Sequence, residues 1–130
     1  MKRLLPILVL FAGCKSAQEV QMERDLADAA AAMNNRDYLR AIHLYETWRG
    51  RTGKPEMEAG IDQQSRSAAE NAYQQGEAFE AEHQYLKAVE HFGRLRDLAS
   101  HLLGDKVATA LTRARNAAYD QGVHGAQESE

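Results

Sequence analysis

The sequence predicts an all-α protein of about five helices. Only two prolines occur in the 130 residues, so long helices meet few interruptions. The segments YLRAIHLY (38–45) and YLKAVEHF (85–92) nearly repeat one another, which indicates that one helical unit occurs twice. Apolar residues recur every three or four positions, the spacing of an amphipathic helix, beginning with Met22, Leu26, Ala30 and Met33.

The first residues have the pattern of a secretory signal. MKR supplies two cations, LLPILVLF supplies a short apolar run, and AGC ends it with small residues. The run is much shorter than the roughly 20 residues of a membrane-spanning helix. Residues 1–13 are therefore expected to be a signal peptide that is cleaved.

The segment Phe11-Ala12-Gly13-Cys14 resembles the lipobox of bacterial lipoproteins, although Phe11 stands where leucine is usual. The resemblance implies cleavage before Cys14 and three acyl chains on the mature terminus, enough for stable membrane attachment. Lys15 after the cysteine resembles the signal for the outer membrane, with the protein facing the periplasm. Cys14 is the only cysteine, so it has no internal disulfide partner. The alternative is an ordinary signal peptide followed by a free cysteine.

Charge and length limit the class of protein. Without residues 1–13 the chain has 117 residues, with 14 basic (16 minus 2) and 19 acidic, a formal charge of −5. This balance disfavours binding to nucleic acid or to an anionic lipid surface. The length favours a single domain, which we place at residues 14–121, followed by a disordered tail at 122–130.

The first two helices are delimited by their ends. Ser16 to Glu19 has the S-x-x-E form of a capping box, so the first helix should begin almost at the anchor and end at Asn34-Asn35. The second should begin near Asp37 as N-cap. GRTGKP (50–55) should then end it, because two glycines and a proline favour a turn.

The last three helices are less sharply bounded. A third helix is expected from Glu56 and a fourth around YLKAVEHF, but Glu82-His83-Gln84 is a weak turn signal. A single helix over about 56–100 is therefore the alternative. A fifth helix should open at Gly104-Asp105 and direct its apolar side inward, at Val107, Ala110, Leu111, Ala114, Ala117 and Ala118.

The segment AENAYQQGEAFEAEHQYLKAVEHF resembles a tetratricopeptide repeat. Gly76 and Phe79 match the small residue and the aromatic of that family's first helix, and Tyr85, Ala88 and Phe92 match its second. An earlier copy matches through Tyr38, Ala41 and Tyr45. The resemblance implies stacked antiparallel helix pairs that share a core.

Two departures keep a plain helical bundle open. Asp25 and Asp28 stand where the family prefers large apolar residues. Ala41 and Ala88 are 47 residues apart (88 minus 41), against about 34 in the family.

No pattern in the sequence favours catalysis, a metal or a cofactor. The one metal-like spacing is Glu80-x-x-His83, and a dimetal site in a helical bundle needs a second such motif. We interpret it as a polar pair. Ser65 and Ser67 lack a nucleophile elbow, and we expect a protein that is not an enzyme.

One surface is a candidate for binding a partner protein. In tetratricopeptide proteins the first helix of each pair lines the partner-binding side, and the corresponding positions here are Glu70, Tyr73, Glu77, Glu80 and Ala81. Three carboxylates around one aromatic would suit a basic or amidic peptide segment, whereas the alternative is a merely solvated face. Trp48 is a second candidate, with packing as its alternative.

The sequence thus favours an outer-membrane lipoprotein that binds another envelope protein as an accessory or assembly factor. One alternative is a pilotin-like chaperone lipoprotein for a secretin, suggested by size and class. Another is a small-ligand carrier or an enzyme.

Overall fold

The computed structural model describes residues 15–128, with side chains as far as Gly122. In this part of the chain there are five helices and no strand, which confirms the all-α prediction. The helices are α1 (Ala17–Asn34), α2 (Tyr38–Trp48), α3 (Pro55–Ala81), α4 (Tyr85–Leu103) and α5 (Asp105–Glu128).

Helix α1 begins where the capping box predicts. The Ser16 hydroxyl accepts a hydrogen bond from the Glu19 backbone N–H at 3.1 Å, satisfying a donor that the first turn leaves free. The buried side of α1 is rotated from the predicted one, because Ala29 and Ala32 are buried while Ala30 is exposed. The inward assignment of Ala30 was therefore wrong.

The turns α1–α2 and α3–α4 have the same backbone geometry. Arg36 and His83 adopt left-handed φ values of 60° and 61°. In the first turn the N–H groups of Arg36 and Asp37 donate to Met33 and Ala32. In the second those of His83 and Gln84 donate to Glu80 and Phe79. Each turn has the paired hydrogen bonds of a Schellman motif, here without glycine. This motif ends α3 at Ala81, so α3 and α4 are two helices and not the single helix over about 56–100.

The connection between α2 and α3 is held by one carboxylate. Gly50 and Gly53 have φ values of 77° and 69°, which only glycine adopts without strain. Glu58 accepts hydrogen bonds from the Gly50 N–H, the Thr52 N–H and the Thr52 hydroxyl. The hydrogen bond from Thr52, followed by that from Gly50, lowers the pKa of Glu58.

Successive helices pack against one another, and α2 also packs against α4. The core runs through all five helices and contains many alanines, so the helices approach closely. Its largest fully buried apolar side chains are Phe92, Ile42, Leu95, Leu111 and Val107.

Helix α4 contains one irregularity, at Ala99, where φ is −144°. Helix α5 then runs to Glu128, beyond Gln121, where the sequence analysis ended the folded domain. The disordered tail predicted at 122–130 overlaps the end of this helix, and its disorder stays a prediction. Residues 129–130 lie outside the described part of the chain.

Candidate functional site

The candidate acidic face of α3 is joined to α5 by long side chains. Glu70 binds the ammonium group of Lys106, with Nζ 2.8 Å and 3.0 Å from the two carboxylate oxygens. Glu80 forms two hydrogen bonds with the Arg113 guanidinium group, at 2.9 Å from Nε and 2.6 Å from Nη2. Two of the three predicted carboxylates are therefore already paired with cations of the same chain.

Tyr73 lies between these two ion pairs. The Lys106 ammonium is 4.6 Å from the centre of its ring, a cation–π distance. Its ring packs against Phe92, with centroids 5.6 Å apart. Tyr73 is half-buried, so part of the ring remains accessible in a fixed orientation.

The Glu80–Arg113 pair is the stronger of the two by its geometry. The Glu80 side chain is only 14% exposed, and parallel N–H···O bonds from a guanidinium group to a carboxylate are a favourable arrangement. The hydrogen bonds that Arg113 donates to Glu80 raise the pKa of Arg113 above its ordinary value. Tyr73 acts on the pKa of Arg113 in the same direction.

Glu77 differs from the other two carboxylates. It is exposed and belongs to no ion pair in the part of the chain that the structure describes. Ala81, the last residue of the predicted face, is also exposed. The accessible surface therefore consists of Glu77, the exposed part of Tyr73 and the two flanking ion pairs, and it carries both signs of charge.

Trp48 lies elsewhere, with only 3% of its surface exposed. Its indole N–H donates to Asp25 at 2.9 Å, and the Arg51 guanidinium lies 4.5 Å from the ring centre. The hydrogen bond from Trp48, supported by one from Gln21, lowers the pKa of Asp25. This burial gives Trp48 a packing role, the alternative that the sequence left open.

The Glu80-x-x-His83 motif does not converge on one point. Glu80 is paired with Arg113, whereas the His83 ring nitrogen Nδ1 is 2.9 Å from the Tyr85 hydroxyl. No group of three or more His, Cys, Asp or Glu residues suited to a metal ion occurs among the described residues.

The sequence analysis missed the cations that complete this surface. Lys106 and Arg113 lie two turns apart on α5, and helical spacing places them on one side of that helix. This spacing shows from the sequence alone that the two cations share one side of the helix. It did not say that α5 would turn this side toward α3.

Cys14, the predicted lipidation site, lies outside the described residues. None of the described helices is long and apolar enough to cross a membrane. Comparisons with protein-family models, curated proteins and solved structures find no match to this chain.

Proposed function

We propose that this chain is an outer-membrane lipoprotein, anchored through Cys14, whose helical module binds another envelope protein as a non-enzymatic accessory or assembly factor. The observation that carries the proposal is the position of the FAGC motif. Only Lys15 separates Cys14 from Ser16, the N-cap of α1. The module would then sit directly at the membrane rather than on a flexible tether.

The two equivalent helix turns support the proposal that the module binds a partner protein. Arg36 and His83 occupy the same place in two helix hairpins, and each precedes a tyrosine by two residues. Paired helices repeated in this way resemble the tetratricopeptide repeats, which use the first helix of each pair to bind partner proteins. In this proposal α3 is that helix, and α5 is the corresponding helix of an incomplete further pair.

The α3–α5 surface suits a peptide that presents both a cation and an apolar or amidic group. Glu77 offers an unpaired carboxylate, and Tyr73 offers the edge of an aromatic ring. The Lys106 ammonium and the Phe92 ring pack on the Tyr73 ring, so less side-chain entropy is lost when a partner binds. Tyrosine is also common among the residues that dominate binding energy in interfaces.

The anchor is tested by metabolic labelling with an alkyne fatty acid. We expect the wild-type chain to take up the label and to fractionate with membranes, and Cys14→Ser to lose both properties. A wild-type chain that remains unlabelled and soluble would refute the lipoprotein assignment.

The binding surface is tested without knowing the partner. A photo-crosslinking amino acid replaces Glu77 on α3 or, as a matched control, Glu90, an exposed carboxylate on α4. We expect a discrete adduct with another envelope protein from position 77 only. The Glu77→Lys substitution, combined with a crosslinker at Gln74, should then weaken that adduct. Equal adducts from positions 77 and 90, or none from 77, would exclude this surface.

A further inference from the structure

Helix α5 has an outward face that no described helix covers. Its opposite side packs into the core through Val107, Ala110, Leu111 and Ala114. The outward residues are all exposed and follow a spacing of three and four: Asp105, Ala108, Thr112, Arg115 and Tyr119. Tyr119 is 73% exposed, unusual for an aromatic side chain.

The order of charges along this face is self-complementary. Neither Asp105 nor Arg115 belongs to an ion pair within the described residues. A second α5 laid antiparallel, with the two-fold axis at residue 110 (the mean of 105 and 115), places Asp105 of each copy opposite Arg115 of the other. Such a contact uses the same patch twice, as a two-fold symmetric interface must.

The residues between these charges allow close approach. The same axis places Ala108 opposite Thr112, and both border a shallow depression on α5, together with Thr109, Arg113 and Asn116. Small side chains at a crossing let two helices lie close together without steric conflict. Tyr119 continues the spacing beyond Arg115 and would extend over the α4–α5 corner of the second copy, near Gly104.

We propose that the outward face of α5 binds a second copy of this chain, antiparallel, through two reciprocal Asp105–Arg115 ion pairs. This inference does not depend on the lipid anchor. The depression shares Arg113 with the α3–α5 surface, but the charges that the proposal uses, Asp105 and Arg115, are not part of that surface. One helix crossing buries less than the roughly 1,200–2,000 Å² of a typical stable interface, so the dimer should be weak and concentration-dependent.

The test exchanges the charges at positions 105 and 115. Sedimentation equilibrium of the full chain, purified in density-matched detergent, measures the association of each variant. We expect the wild type to dimerise as its concentration rises. Asp105→Arg alone or Arg115→Asp alone creates two like-charge contacts in each dimer, and each should weaken association by about tenfold or more. The variant that carries both substitutions restores opposite charges and should dimerise again.

Two further variants separate this contact from general effects of charge. Tyr119→Ala should weaken association, while Glu90→Arg on α4 should leave it unchanged. Circular dichroism checks that every variant remains helical. A wild type that stays monomeric at every concentration, single variants that dimerise like the wild type, or a double exchange without recovery would each overturn the proposal.

Discussion

Replacing Gly76 by alanine tests a close contact between α3 and α4. A Cβ atom built at Gly76 would lie 2.5 Å from both Cε1 and Cζ of Phe92, and 3.0 Å from its Cδ1. Carbon atoms in favourable contact lie about 3.5–4.0 Å apart. The ring would therefore have to move by about 1 Å, yet Phe92 is fully buried and packs against Tyr73 and His91.

Two opposing effects set the size of the change. Alanine is favoured over glycine inside a helix by about 1 kcal/mol. Overpacking a close-packed site costs typically about 1–3 kcal/mol. Because the clash is with ring atoms that have no free space, we expect the second effect to dominate. Gly76→Ala should lower the free energy of unfolding by up to about 2 kcal/mol.

Gly60 provides a matched control in the same helix. It is exposed, and a Cβ atom there meets nothing within 4 Å. Gly60→Ala should therefore raise the free energy of unfolding, by up to about 1 kcal/mol. Urea unfolding followed by circular dichroism measures both variants. If Gly76→Ala proves as stable as Gly60→Ala, the packing of Gly76 on Phe92 is not as described.

A double-mutant cycle shows whether the clash is with Phe92 itself. Phe92→Leu removes the ring atoms nearest the added methyl group, although it is itself destabilising. In that background Gly76→Ala should cost clearly less than in the wild type. An equal cost in both backgrounds would assign the effect to the backbone of α3.

Further variants test the packing of the core and the effect of pH on His91. Ala88 is fully buried, so Ala88→Leu should destabilise by about 1–3 kcal/mol, whereas the exposed neighbour Lys87→Ala should change urea unfolding by no more than about 0.5 kcal/mol. The buried Ser65 hydroxyl has no hydrogen-bond partner among the described residues, so Ser65→Ala should raise the melting temperature rather than lower it. Burial lowers the pKa of His91. The unfolded chain then binds the proton more readily, so the free energy of unfolding should fall as the pH drops below about 6.5. Urea titrations of His91→Gln at several pH values should lack this contribution to the pH dependence.

The sequence predicted the helices well where their ends carry standard signals. Ser16 with Glu19 located the start of α1, and GRTGKP located the α2–α3 loop. The break between α3 and α4 stayed open because its left-handed residue is His83, a position usually held by glycine or asparagine. What the two turns share in sequence is a Tyr-Leu pair two residues after Arg36 and after His83, and this repeat could have located the second turn.

The candidate site was less predictable because it depends on which surfaces meet. Helical spacing placed Glu70, Glu77 and Glu80 on one side of α3 without reference to any neighbour. The structure brings Lys106 and Arg113 to two of these carboxylates, across more than thirty residues of chain. Spacing within a helix is local information, whereas the pairing of two helix faces depends on the packing of the core between them.

The long spacing between the two copies can be explained from the α2–α3 connection. Much of the extra length lies in the loop and the first turns of α3, where Glu58 supplies acceptors for the loop backbone. Arg49 binds both Glu46 and Asp62, tying the end of α2 to α3. Most polar groups of this connection thus find partners within it, although Arg49 Nη2 is buried without a hydrogen-bond partner among the described residues. Two helix pairs can therefore keep the same turn geometry and still stack, even though 47 residues separate Ala41 from Ala88 (88 minus 41).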